Sequence, residues 1–154
     1  MKREGKIPTK KKTLQRREFA LPDACRLDFK NIDAEHTVLI NILNESLSAF
    51  DSGDRVTVAE FEKYFRRLWQ EMAAHFRHEE AEMEQVQYPQ CLAHKHHHAD
   101  VLSRLASVRD RAASAGYVDR HTVEDIFDTI LDDMLRADLG FKTFLINQDI
   151  IRHD

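Results

Sequence analysis

Apolar residues recur at helical spacing in four stretches of the chain, separated by short polar or proline-containing segments. In the first stretch Leu39, Leu43 and Leu47 follow one another at intervals of four, which places them on one face of a helix. The same pattern recurs three more times. The predicted helices cover roughly residues 31–50, 57–86, 90–116 and 122–145.

Residues that start or stop helices stand at the ends of these stretches. Thr57 and Glu60 have the spacing of a capping box, and Gly116 is placed to end the third helix. The segment 51–54 predicts a turn, and Pro89 separates the second helix from the third. Four helices with short links predict an all-α protein, an up-down-up-down four-helix bundle.

Length and charge divide the chain into two parts. With 154 residues, four Gly and three Pro, the chain is long enough for one helical domain, which we assign to residues 19–154. Residues 1–18 form a basic tail, since the first seventeen residues carry a net charge of +7 and leave −11 for the rest. Such a tail is expected to be disordered. A functional tail would contact an acidic partner, acidic lipid or nucleic acid.

Cellular location is inferred from features that the sequence lacks. It contains no apolar run of transmembrane length and no signal peptide, and Cys25 and Cys91 form no CxxC pattern. We therefore expect no transmembrane segment and a cytoplasmic location. The oligomeric state stays open.

Histidines and acidic residues occupy helix faces that should be apolar. His75 with Glu79, and His94 with His98, are four residues apart, and His36 lies within the apolar stripe of the first helix. A single histidine at such a position would more often be a hydrogen-bonded core residue, and a single acid would more often be solvated. Several of them together in one interior would be too costly to bury without a cation. A metal site is therefore expected. The remaining histidines are predicted to lie at the surface: His78, His96, His97, His121 and His153.

These motifs together resemble the hemerythrin and bacteriohemerythrin family, four-helix bundles around a non-haem di-iron centre. The resemblance covers roughly residues 32–145. It rests on four motifs: Ile32-Asp33-Ala34-Glu35-His36, His75-Phe-x-x-Glu79-Glu80-x-x-Met83, Tyr88-Pro89 and His94-x-x-x-His98.

The resemblance implies two iron ions as cofactors and assigns a role to each ligand. His36 and His75 would bind one iron and His94, His98 and Asp133 the other, with Glu79 and Asp138 bridging both. Asp133 is a departure, because the family has His at that position. The pair Asp149 and Asp154 has the same spacing but lies too far along the chain and lacks the aromatic residues that follow Asp138.

The step from Asp133 to Asp138 raises a geometric difficulty. Five residues turn about 140° around a regular helix, so both side chains can reach one site only by splaying apart or through a local helix distortion. If Asp133 is not a ligand, water or another side chain completes that iron. Thr129 is a further departure, since many relatives have Trp there beside the oxygen pocket.

The family suggests an O2-binding protein that serves oxygen sensing, carriage or storage. O2, or another small diatomic ligand, would bind beside four apolar residues: Leu39, Phe76, Ile130 and Met134. The alternatives are a di-iron peroxidase or oxidase, and an iron or nitric-oxide sensor that acts through a partner. Binding is favoured over catalysis because the sequence shows no nucleophile motif.

Overall fold

The computed structural model describes residues 18–152. Apart from Glu18, the predicted basic tail lies outside this range, as do His153 and Asp154. The described chain is mostly helical. Its α-helices are α1 (Ile32–Leu47), α2 (Val58–Gln85), α3 (Cys91–Ala115), α4 (Arg120–Asp133) and α5 (Leu139–Asn147). A five-residue π-helical turn, Met134–Asp138, joins α4 to α5, and 3-10 turns occupy Asp23–Cys25 and Ser48–Ser52.

The capping signals in the sequence are confirmed at two helix ends. The side chain of Thr57 accepts a hydrogen bond from the Glu60 amide at 3.2 Å, and this cap starts α2. Gly116 ends α3 in the left-handed conformation, with φ of 79°, which a residue bearing a Cβ adopts only with strain. The α4 helix begins at Arg120, two residues before the predicted start, because Asp119 caps it by accepting from the Thr122 amide at 2.9 Å.

The helices form a closed bundle in which α1 packs on α2, α2 on α3, α3 on α4, and α4 on α1. The alternation of helix directions stays a prediction. The sequence did not predict two short antiparallel strands, β1 (Arg55–Thr57) and β2 (Tyr117–Asp119), which pair Val56 with Val118. Strands of three residues are too short to show a period-two pattern, which explains the omission.

The interior contains two apolar clusters with a polar layer between them. The larger cluster includes Leu39, Phe76, Val101 and Ile130. The smaller cluster consists of Leu27, Phe29, Ile32, Met83, Tyr88, Phe141 and Leu145. Three parts of the chain contribute residues to both clusters: α1, α2 and the segment from the π-helical turn into α5. The stretch between them is where the predicted metal ligands lie.

The segment before α1 is largely irregular, and it closes one end of the core. Leu27 and Phe29 are buried in the smaller cluster. The Asp33 carboxylate accepts hydrogen bonds from the backbone amides of Leu27, at 2.7 Å, and Asp28, at 2.9 Å. These bonds fix the segment to the first turn of α1. None of the helices within residues 18–152 has the length and apolar character needed to cross a membrane.

Candidate metal centre

Six of the seven predicted metal ligands meet in the polar layer between the apolar clusters. Each is at least 95% buried, and they come from α1, α2, α3 and the π-helical turn: His36, His75, Glu79, His94, His98 and Asp138. The four-residue spacing within α2 and within α3 places both members of each pair on the inward face. The six side chains are therefore close enough together to form a metal site, and their role as metal ligands stays a prediction.

Their ligand atoms form two groups. In the first, the Nε2 atoms of His36 and His75 are 3.2 Å apart, and Oδ2 of Asp138 lies 3.3 Å from Nε2 of His36. These three side chains come from α1, α2 and the π-helical turn. Since their ligand atoms all lie within 4.8 Å of one another, the group could hold one metal ion.

The second group joins α2, α3 and the π-helical turn. Oε2 of Glu79 lies 3.4 Å from Nε2 of His94 and 3.2 Å from Nε2 of His98. Oδ1 of Asp138 lies 3.3 Å from Nε2 of His94 and completes the group. Four ligand atoms are thus close enough to surround a second ion.

Asp138 belongs to both groups, because one of its carboxylate oxygens contacts His36 and the other contacts His94. Glu79 also lies near both, with Oε2 only 3.9 Å from Nε2 of His75. Two carboxylates between two sets of imidazoles are suited to bridge a pair of cations.

The donor atoms of this layer fit a metal because most of them lack a hydrogen-bond partner. Both carboxylate oxygens of Glu79 and of Asp138 are buried and unpaired, as are the Nε2 atoms of His94 and His98. Buried polar atoms without partners are costly unless a cation coordinates them.

Two further acids hold the imidazoles from outside. Oε2 of Glu35 lies 2.8 Å from Nδ1 of His75, and Oε1 of Glu80 lies 2.8 Å from Nδ1 of His98. A proton on each Nδ1 would be donated to the carboxylate, which leaves the lone pair of Nε2 directed at the metal position. Glu35 also contacts Nδ1 of the exposed His78 at 2.6 Å. Sequence analysis assigned these acids no role, although both lie within the motifs that carry the family resemblance, beside His36 and Glu79.

The charges in the layer shift the pKa values of its members. Burial disfavours the carboxylate of Glu79, but the contacts with His94 and His98 outweigh burial and lower its pKa below the ordinary 4.5. Burial likewise disfavours a charged His94, but its contacts with Asp138 and Glu79 raise its pKa to about 10. In the absence of metal, a proton on His94 therefore compensates the buried carboxylates.

The seventh predicted ligand, Asp133, is buried but does not join either group of ligand atoms. Its Oδ1 lies 2.8 Å from Nε2 of His97, so the two side chains form an ion pair when His97 is protonated. His97, which the sequence predicted to lie at the surface, is partly buried, and its side chain is 28% exposed. The distortion expected between Asp133 and Asp138 is present as the π-helical turn, and both residues are buried. Ligation by Asp133 stays a prediction.

The other predicted residues take varied places. The four residues predicted to line the ligand pocket are buried in the larger cluster: Leu39, Phe76, Ile130 and Met134. The ring of Phe76 stacks on that of His98, with 3.7 Å between the ring centroids. Their role as a pocket for a small ligand stays a prediction. Thr129 bonds the Asp125 carbonyl and lines a surface groove between α3 and α4. Three other positions are exposed, as predicted: His78, His96 and His121. The rejected candidate Asp149 is exposed and takes part in neither group.

Comparison with known proteins agrees with this geometry. The model of the hemerythrin HHE cation binding domain matches residues 27–139, more than two thirds of the chain. Neither the curated proteins nor the solved structures gave a match. The matched range contains all six converging residues and ends just after Asp138, the acid that joins the two groups. The chain belongs to the hemerythrin HHE cation-binding domain family.

Proposed function

We propose that this protein holds two iron ions in the polar layer and binds O2 there, for oxygen sensing, carriage or storage. The observation that carries the proposal is the position of Asp138, whose two carboxylate oxygens contact histidines of different groups at 3.3 Å each. A carboxylate placed in this way is suited to bridge two cations, and Glu79 lies beside it as a second bridge.

The donor set supports iron. Imidazole nitrogen and carboxylate oxygen are both common iron ligands, and the anionic bridges offset part of the charge of two ferrous ions in an interior that excludes water. A ferrous pair would supply the electrons that reversible O2 binding needs. A reducing cytoplasm suits that oxidation state, and it suits the free thiols of Cys25 and Cys91.

The chain's own residues would orient the ligands and keep the site dry. Glu35 and Glu80 fix the imidazoles of His75 and His98, while Phe76 covers the ring of His98. Leu39, Ile130 and Met134 are the further buried side chains that we propose beside the bound gas. Apolar walls favour a small neutral ligand over water.

The proposal is tested by metal analysis of protein expressed with ample iron, followed by optical spectra under O2 and after its removal. We expect two irons per chain and a spectrum that returns to that of the ferrous protein. At most one iron per chain would contradict the proposal. Turnover of peroxide with a reductant, in place of reversible binding, would indicate a di-iron enzyme.

A substitution of the proposed bridge tests the same assignment. Glu79→Ala removes a carboxylate that faces both groups, so most of the iron should be lost. Glu71→Ala is the matched control, because Glu71 is exposed on the same helix. Full iron content in Glu79→Ala would show that Glu79 is not a bridge.

A further inference from the structure

The contact between Asp133 and His97 lies next to the second group along the chain, because His97 precedes the proposed ligand His98. Asp133 is the last residue of α4 and is only 1% exposed. A buried carboxylate needs a partner, and His97 provides one at 2.8 Å. The carboxylate oxygens of Asp133 are not among the clustered ligand atoms of the second group.

We propose that His97 holds Asp133 away from the metal centre, so that the metal bound by His94 and His98 keeps a coordination position for an external small anion. This inference rests on the proposed di-iron function. The two metals would then be alike in their protein ligands, because two imidazoles face each position, Asp138 belongs to both groups and Glu79 lies near both. Iron sites with two histidines and carboxylate ligation commonly retain open positions.

The surroundings of His97 include a surface groove. His97 lies in this groove, which has a volume of about 650 Å³, between α3 and the end of α4. Its neighbours there include Asp100, Arg104, Asp132 and Arg136, and Asp132 lies 2.6 Å from Arg136. His97 therefore both lines the groove and contacts the buried Asp133.

Azide is a suitable probe, because it is a small anion that binds ferric iron. The iron-loaded full chain is oxidised and titrated with azide, and bound azide is counted against measured iron. We expect two azide ions per iron pair in the wild type, and also two in Asp133→Ala. One azide in the wild type that rises to two in Asp133→Ala would overturn the proposal, because Asp133 would then be a ligand. One azide in both proteins would also overturn it.

The holding role of His97 has its own test. His97→Ala should release Asp133 to coordinate the metal and reduce binding from two azide ions to one, and the double variant His97→Ala with Asp133→Ala should restore two. His96→Ala is the control, because His96 is exposed on the same helix. Two azide ions in His97→Ala would overturn this role.

Two further measurements keep the outcomes distinct. Circular dichroism verifies the helicity of each variant. Iron content separates the two proposals, because fewer than two irons in the wild type contradicts the proposed function itself.

Discussion

Glu35 and Glu80 show how single residues outside the ligand groups control the metal centre. Each contacts the Nδ1 atom of one inward-facing histidine at 2.8 Å, and each is about one-quarter exposed. A carboxylate in this position fixes the ring orientation and makes the imidazole a stronger donor. The two acids serve different groups, so they provide a paired comparison.

Glu35→Gln and Glu80→Gln should each weaken metal binding by about 10- to 100-fold, because an amide is a poorer acceptor for the imidazole N–H. Competition with a chelator of known affinity measures the change. Glu71→Gln is the control on the exposed face of α2. Unchanged affinity in both variants would show that the histidines are oriented by packing alone.

The ion pair of His97 with Asp133 predicts a titration that is measurable without metal. The contact with Asp133 raises the pKa of His97 above 6.5, although partial burial opposes the rise. NMR titration of the metal-free protein should show the raised pKa of His97. The substitution Asp133→Asn removes the carboxylate and should lower this pKa. A raised pKa stabilises the folded state below pH 6.5, and this contribution is lost as the pH rises through the folded-state pKa. An unchanged pKa of His97 in Asp133→Asn would contradict the pairing.

At the scale of elements, the last helix of the bundle is where regular geometry is interrupted. The turn Met134–Asp138 is π-helical, and it lies between the buried Asp133 and the smaller apolar cluster that contains Phe141. The sequence indicated that, with a five-residue step, both acids can reach one site only by splaying apart or through a local helix distortion. It did not indicate which acid the distortion would place among the histidines, and only Asp138 lies there.

The cap of α4 should contribute measurably to stability. Asp119 accepts from both the amide and the hydroxyl of Thr122 at 2.9 Å, so Asp119→Ala should lower the free energy of unfolding by about 1 kcal/mol. Urea unfolding measures this change in the free energy of unfolding. Asp110→Ala is the control, because the side chain of Asp110 is exposed. The bond from the Thr122 amide lowers the pKa of Asp119 below 3.8, so the cap's contribution is present above pH 3.8 and fades as the pH falls through the folded-state pKa. If the stability difference between the wild type and Asp119→Ala persisted far below that pH, the charged carboxylate of Asp119 would not be the source of the cap's contribution.

At the scale of the whole molecule, the candidate metal centre joins α1, α2, α3 and the π-helical turn, which supply its six side chains. Without metal, protonated imidazole compensates the buried carboxylates, and His94 with a pKa of about 10 is charged at neutral pH. A metal ion requires the neutral imidazole. Folding, metal binding and protonation are therefore linked.

Metal binding should release protons and stabilise the fold. Calorimetric titration of the metal-free protein with ferrous iron, in buffers of different ionisation enthalpy, should show proton release at neutral pH, and affinity should fall as the pH is lowered. The thermal midpoint should rise with metal, because the ion binds only the folded state. Binding without proton release would mean that His94 is already neutral in the metal-free protein.

The sequence by itself determined the local features of this protein. The period of 3.6 residues decides which side chains share a helix face, so the pairs His75 with Glu79 and His94 with His98 could be predicted. Capping residues near Thr57 and Gly116 likewise predicted helix ends, because they act within a few residues of the backbone they satisfy.

Only the tertiary structure decided which side chains meet across helices. The contact of Glu35 with His75 spans 40 residues, and the partner of Asp133 is His97, which the sequence predicted to lie at the surface. The pairing of Val56 with Val118 also joins distant segments. Such contacts depend on the rotation and axial offset of one helix against another. Both are set by the packing of the whole core, and helical periodicity fixes neither.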